Sequence, residues 1–238
     1  MHSAGHTARH TFDEVPYVGV LTGDVGKHRC TASVVNSPKG NVLATAAHCV
    51  LPHAGAAHDG DRPSSYEEKL EFAPQFSGRG RGRPPHGRWK ARGIHIEDCW
   101  KDKDDSADYA FLTVEPDDRG RSVQEAVGAV VPDWPSGFSR DVTVIGYPHH
   151  EHNPEIRPVS CTTRTRRDDE LARLVRMECA RLWGGTSGSP WLAARAVRGQ
   201  PGRLIGVLSG GDIDSESTAA LFDTRARALY EQAAREAG

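Results

Sequence analysis

The sequence predicts an all-β protein closed by one C-terminal helix. Two observations carry that expectation. Short apolar runs separated by turn residues recur along most of the chain, and a helix-forming segment with its own cap stands only at the C-terminus. In chain order the strand-like runs are 15–21 (VPYVGVL), 30–35 (CTASVV), 41–46 (NVLATA), 109–114 (YAFLTV), 142–147 (VTVIGY), 174–179 (LVRMEC) and 204–209 (LIGVLS). Runs of this length bounded by Gly, Pro, Asn and Asp suit an antiparallel barrel or sandwich and not βαβ units. The helix is expected over 223–237. Asp223 is a good N-cap, helix formers follow it, and Ala226, Leu229, Tyr230 and Ala233 share one face. Between the third and fourth runs, residues 52–88 are rich in Gly, Pro, Arg and His and read as an exposed loop. A basic patch with no interleaved aromatics is a poor RNA contact, so no nucleic-acid partner is expected.

The bulk properties fit one domain family of moderate size. The chain has 238 residues, 37% hydrophobic, with a net charge of -2. A chain this long buries a core without metal staples. Its charge balance gives no reason to expect nucleic acid or an anionic membrane, and no apolar run is long enough to span a bilayer. Five cysteines (Cys30, Cys49, Cys99, Cys161 and Cys179) include no CxxC pair, which argues against a zinc ribbon. Four of them make two disulfides possible, with Cys99 as the candidate left over, and disulfides imply an oxidising compartment. The first ten residues, MHSAGHTARH, lack the apolar stretch of a secretory signal. A secreted protein whose signal has been removed is the expectation, with a cytoplasmic location as the alternative.

Acyl transfer at a peptide bond needs an activated hydroxyl, a base near neutral pKa, a group that fixes the base's tautomer, and donors for the oxyanion. Ser187, in Gly184-Gly185-Thr186-Ser187-Gly188-Ser189-Pro190-Trp191, is the nucleophile candidate. Glycines beside a serine permit a sharp turn, whose successive N–H groups converge on an anion; Gly185 and Ser187 would supply them. His48, in Ala44-Thr45-Ala46-Ala47-His48-Cys49, is the base candidate. A Cys30–Cys49 disulfide would tie its strand to the preceding one. Asp108 leads into the apolar run 109–114, so it can be buried facing the histidine, whereas Asp102, Asp104 and Asp105 sit among polar neighbours. The cluster His149, His150, Glu151 and His152 reads as a polar loop in preference to a metal site, since prolines flank it. No metal and no cofactor are expected.

These strings resemble the chymotrypsin/trypsin-like serine peptidases. T-A-A-H-C matches that family's histidine motif, D-Y-A-F-L its aspartate motif, and G-T-S-G-S-P is similar to its G-D-S-G-G-P. The order His, Asp, Ser is also the family's. VIGYP (144–148) and the pair Cys161…Cys179 look like the bacterial secreted branch that includes glutamyl endopeptidases. The resemblance implies two six-stranded antiparallel β-barrels with the triad between them. The first would span about 15–120 and the second about 121–222, after an N-terminal extension, 1–14, and before the helix. It implies a Cys161–Cys179 disulfide. It also implies that Ser209-Gly210-Gly211 pairs with a polypeptide substrate and lines its pocket. Gly210 stands where many relatives carry Trp, so a more open wall is expected. Arg181, if buried, would favour an acidic side chain before the scissile bond. Thr186 replaces the family's Asp, so activation by a new N-terminal ammonium is not expected. The implied function is serine endopeptidase. The alternatives are a catalytically silent member that binds peptides, and an intracellular effector peptidase with reduced cysteines.

Overall fold

The computed structural model describes residues 6–10, 15–23, 26–51, 70–78, 84–102, 104–134, 137–170, 173–193, 202–211 and 215–237. The first half is a closed six-stranded antiparallel barrel. Its strands are β2 (Val18–Thr22), β3 (His28–Val35), β4 (Val42–Thr45), β5 (Glu71–Pro74), β6 (Trp89–Ile96) and β7 (Ala110–Val114), paired in the order β2-β3-β4-β7-β6-β5. The second half is an eight-stranded sheet that curls as a half-barrel. It comprises β1 (Arg9–His10), β8 (Asp141–Gly146), β9 (Val159–Arg164), β10 (Arg166–Arg167), β11 (Leu174–Glu178), β12 (Pro190–Ala193), β13 (Arg203–Gly210) and β14 (Glu216–Leu221). Its order is β1-β9-β8-β12-β13-β14-β11-β10, so two-residue edge strands flank six longer ones. The Cys161–Cys179 disulfide joins β9 to the end of β11, near the two edges of that six-strand set.

The uniformly apolar runs are strands buried on both faces. On β7, Ala110, Leu112 and Val114 point into the barrel, where they meet Leu43. Phe111 points the other way, into a cluster shared with Val42, Val207, Phe222 and the helix residues Ala226 and Ala233. That shared cluster is the seam of the molecule. A third cluster, with Val144, Met177, Trp191 and Ile205, fills the second half.

Helix α3 spans Thr224–Glu236, and the Asp223 side chain accepts from the N–H groups of Arg225 and Ala226, as its cap position predicts. Two shorter helices, α1 (Asp98–Lys101) and α2 (Val123–Val127), have no long apolar period to announce them. The second opens on a capping box between Ser122 and Glu125, and its Val123 and Val127 bury in the first barrel.

The loop expected over 52–88 needs correction. Residues 71–74 form β5, with Phe72, Ala73 and Pro74 buried, and close the barrel against β2 and β6. The strand is too short to stand out beside its polar flanks. Residues 52–69 and 79–83 of that loop lie outside the described residues. Residues 6–10, assigned to an extension, pair with the second sheet: Arg9–His10 lie against Val159 and Ser160, and the Ala8 N–H donates to Ala180 O at 2.7 Å.

Candidate active site

His48 lies in a 3-10 turn, Ala47–Cys49, at the end of β4. The Cys30–Cys49 disulfide ties that turn to β3. Asp108 follows a second 3-10 turn, Asp105–Ala107, and stands just before β7. β4 and β7 are neighbours in register, with Thr45 opposite Ala110, so the barrel itself brings the two residues together. The His48 N–H donates to one Asp108 carboxylate oxygen at 2.9 Å, and its Nδ1 lies 2.8 Å from the other. The Ser209 hydroxyl, from the second half, also donates to Asp108. Asp108 is 3% exposed, and burying a carboxylate is tolerable only with such donors. With Asp108 ionised, the Nδ1 proton is held and the lone pair is left on Nε2.

Ser187 sits half-buried in the turn between Trp183 and β12. That turn is clamped between the halves: the Ser187 carbonyl accepts from Thr31 N–H at 2.8 Å, and the Gly188 N–H donates to Leu208 O at 2.7 Å. Gly188 has φ of +79°, and a Cβ there would collide with Thr45 Oγ1 and Thr31 O and lie 3.0 Å from Ala46 N. Only glycine permits this approach, which sets the residue after Ser187 against the strand end leading into His48. Gly185 has φ of +93°, and a Cβ there would stand 2.6 Å from the His149 ring and 2.7 Å from His149 N. The N–H groups of Thr186 and Ser189 are used inside the turn, donating to Trp183 O and Thr186 O. Those of Gly185 and Ser187 have no acceptor among the described residues. In the same turn the Thr186, Gly188 and Ser189 amides are engaged, and an unengaged backbone N–H can donate to an anion.

Three groups around this turn carry no motif in the sequence. Thr31 Oγ1 donates to Gly185 O at 3.0 Å and accepts from Tyr147 N–H at 2.9 Å, joining β3 to both loops of the second half. His149 donates its N–H to Gly184 O at 2.7 Å, and its Nε2 lies 3.0 Å from Arg29 O. The His28 ring meets His149 edge-on, centroids 5.0 Å apart, and burial with that neighbour pushes its pKa down to about 4. The loop of histidines is therefore a support for the Ser187 turn. His152 adds to it by stacking on Trp183, centroids 4.6 Å apart.

The sequence matches the trypsin-like peptidase domain family over residues 30–207. The chain belongs to the trypsin-like peptidase family. The protease Anisep from Arthrobacter nicotinovorans is similar in structure, with a TM-score of 0.77, 21% identity, and coverage of 93% of this chain and 96% of that one. The thermostable serine protease AL20 from an extremophilic microorganism gives 0.74 at 25% identity, covering 93% and 98%. A Glu endopeptidase gives 0.72 at 13% identity, covering 98% of both chains. No curated protein matches the sequence.

Within this trypsin-like domain the remaining site expectations divide. Ser209-Gly210-Gly211 runs from the end of β13, and space for a side chain is open at Gly210, where a Cβ would meet nothing within 4 Å. Arg181 is not the buried arginine that a preference for acids would require. It is exposed in a turn, with φ of +71°. The turn lets its long charged side chain reach water, which costs less than burial without a partner. Cys99 is outside both disulfides and partly buried, with Arg225 Nη1 at 3.3 Å from its sulfur. Burial raises its thiol pKa.

Proposed function

We propose that this trypsin-like peptidase is a serine endopeptidase working through Ser187, His48 and Asp108. The observation that carries the reading is the buried Asp108 carboxylate, bonded at 2.8 Å to His48 Nδ1. That contact directs the basic nitrogen away from Asp108 and leaves it to serve a hydroxyl. The similar solved structures, two proteases and a Glu endopeptidase, support the same reaction class.

In the proposed reaction, His48 Nε2 takes the Ser187 proton as Oγ attacks the peptide carbonyl. The oxyanion that forms accepts from the Gly185 and Ser187 N–H groups, which have no other acceptor among the described residues. Asp108 stabilises the imidazolium. His48 then gives its proton to the leaving amine as the C–N bond breaks, and the acyl group remains on Ser187. Water, deprotonated by His48, attacks that ester and releases the acid. Ser209-Gly210-Gly211 would pair with the acyl-side backbone of the polypeptide substrate. No cofactor takes part in this scheme. Two disulfides fit work in an oxidising, extracellular setting.

Labelling with a fluorophosphonate probe tests the assignment. The protein should label at Ser187 and cleave peptides. Ser187→Ala should lose labelling and lower kcat on the order of 10⁶-fold. Undiminished labelling of that variant would refute the nucleophile.

A further inference from the structure

We propose that a cavity in the seam beside the oxyanion turn is the subsite for the leaving-group half of the substrate, and that it takes an acidic side chain. The proposal rests on the endopeptidase reading above and names a substrate class for it. The cavity holds about 300 Å³ and draws its walls from both halves. Val20, Phe76 and Ile156 give it an apolar floor, and Lys27, Arg88 and His150 stand at its rim with one acid among the described lining residues, Glu151.

Its place relative to the reaction follows from two hydrogen bonds. The Ser187 turn is held at Gly188 by Leu208 O, next to the Ser209–Gly211 run, and at Gly184 by His149 N–H, next to the cavity. The two features therefore flank the turn from opposite ends. A chain whose acyl side lies along 209–211 passes the oxyanion amides and continues toward His149.

The walls are built before any ligand arrives. Asn153, 2% exposed, donates to Arg157 O at 2.7 Å and Pro148 O at 3.4 Å, and its Oδ1 accepts from Arg157 N–H at 3.1 Å. That network fixes the loop carrying His150, Glu151 and Ile156. The backbone also holds strain here. Ile156, at φ of +43°, lines the cavity, and Gln75, at φ of +50°, directly precedes the lining residue Phe76. A β-branched residue in the left-handed region is costly, and such outliers gather at ligand sites.

The charge of the rim chooses the occupant. His28 stays neutral through the working range, since its pKa is about 4, so the wall's positive charge comes from Lys27 and Arg88. Arg88 is only loosely engaged, with Glu71 at 3.7 Å. Among the described lining residues two permanent cations, one of them also paired with Glu71, face one exposed carboxylate over an apolar floor. A glutamate side chain, apolar along its stem and anionic at its tip, complements that arrangement.

Matched peptides carrying Glu, Gln or Lys at the first, second or third position after the scissile bond provide the test. For the wild-type protein, kcat/KM should be about fivefold or more higher for Glu than for Gln at one of these positions, and lowest for Lys. Lys27→Glu with Arg88→Glu should reverse the order, and high salt should shrink the preference. Calorimetric binding of the same peptides to Ser187→Ala should show the same ranking without turnover. Peptide cleavage with equal rates for Glu and Gln at every position, or with Lys preferred, would overturn the acidic subsite and leave the endopeptidase reading intact. Absence of probe labelling together with Glu-selective binding would do the reverse.

Discussion

Asp108 shows how much one side chain depends on its surroundings. Its carboxylate is buried and accepts from the His48 backbone, the His48 ring and the Ser209 hydroxyl. The resemblance assigned Ser209 to substrate contact, yet its side chain is turned inward to the acid, which leaves only the backbone for a substrate. Ser209→Ala should therefore lower kcat about tenfold or more and leave KM nearly unchanged. Removing one hydrogen bond to a buried charge costs about 1.5–3 kcal/mol, and that loss falls on the imidazolium state. Steady-state kinetics on one peptide measure it, and a raised KM at constant kcat would show that the hydroxyl serves the substrate instead. At this scale His48, Asp108 and Ser187 were legible as candidates because each sits in a distinctive string. Thr31 and His149 were not, because their roles arise from contacts across 154 and 120 residues.

At the scale of elements, the turn before Asp108 is anchored by a helix from the far end of the chain. Asp104 caps that turn by accepting from Ser106 N–H at 3.0 Å, and the Ser106 hydroxyl bond lowers the Asp104 pKa. Arg225, in the first turn of α3, reaches Asp104 at 3.3 Å, Ser106 at 3.2 Å and its own cap Asp223 at 3.0 Å. The helix that the sequence announces by its cap and shared face is thus also a tether for the loop before Asp108. Arg225→Met should lower both Tm and kcat/KM, the latter by about tenfold for a loss near 1–2 kcal/mol; Arg225→Lys should recover part of it. Thermal melts and peptide kinetics on the same preparations check this. A Tm loss with full activity would confine Arg225 to stability. The helix itself was predictable from its cap and face. β5 was not, since four residues amid Gly, Pro and Arg give no period to read.

Across the whole molecule, the two halves share one apolar cluster at the seam, and the site lies where polar groups cross it. His28 is part of that crossing and carries a pH liability. Its pKa, about 4 in the folded protein against 6.5 when exposed, means that the folded state resists protonation. Its contribution is therefore fully present above pH 6.5 and is lost as pH falls toward 4, amounting to about 3 kcal/mol. Denaturant unfolding at pH 7 and pH 4 should show this drop, and His28→Phe should flatten it. An equal slope in both proteins would assign the acid sensitivity elsewhere.

The sequence alone determined the strand-rich class, the C-terminal helix and the strings that hold His48, Asp108 and Ser187, because local pattern and backbone demand are written in neighbouring residues. The tertiary structure alone decided that Arg181 faces water, that residues 71–74 close the barrel, and that Ser209 serves the acid. It also decided that a histidine loop braces the Ser187 turn beside a cavity lined by Lys27 and Arg88. Those outcomes depend on which distant groups compete for the same buried hydrogen bonds and charge, and no local stretch of chain records that competition.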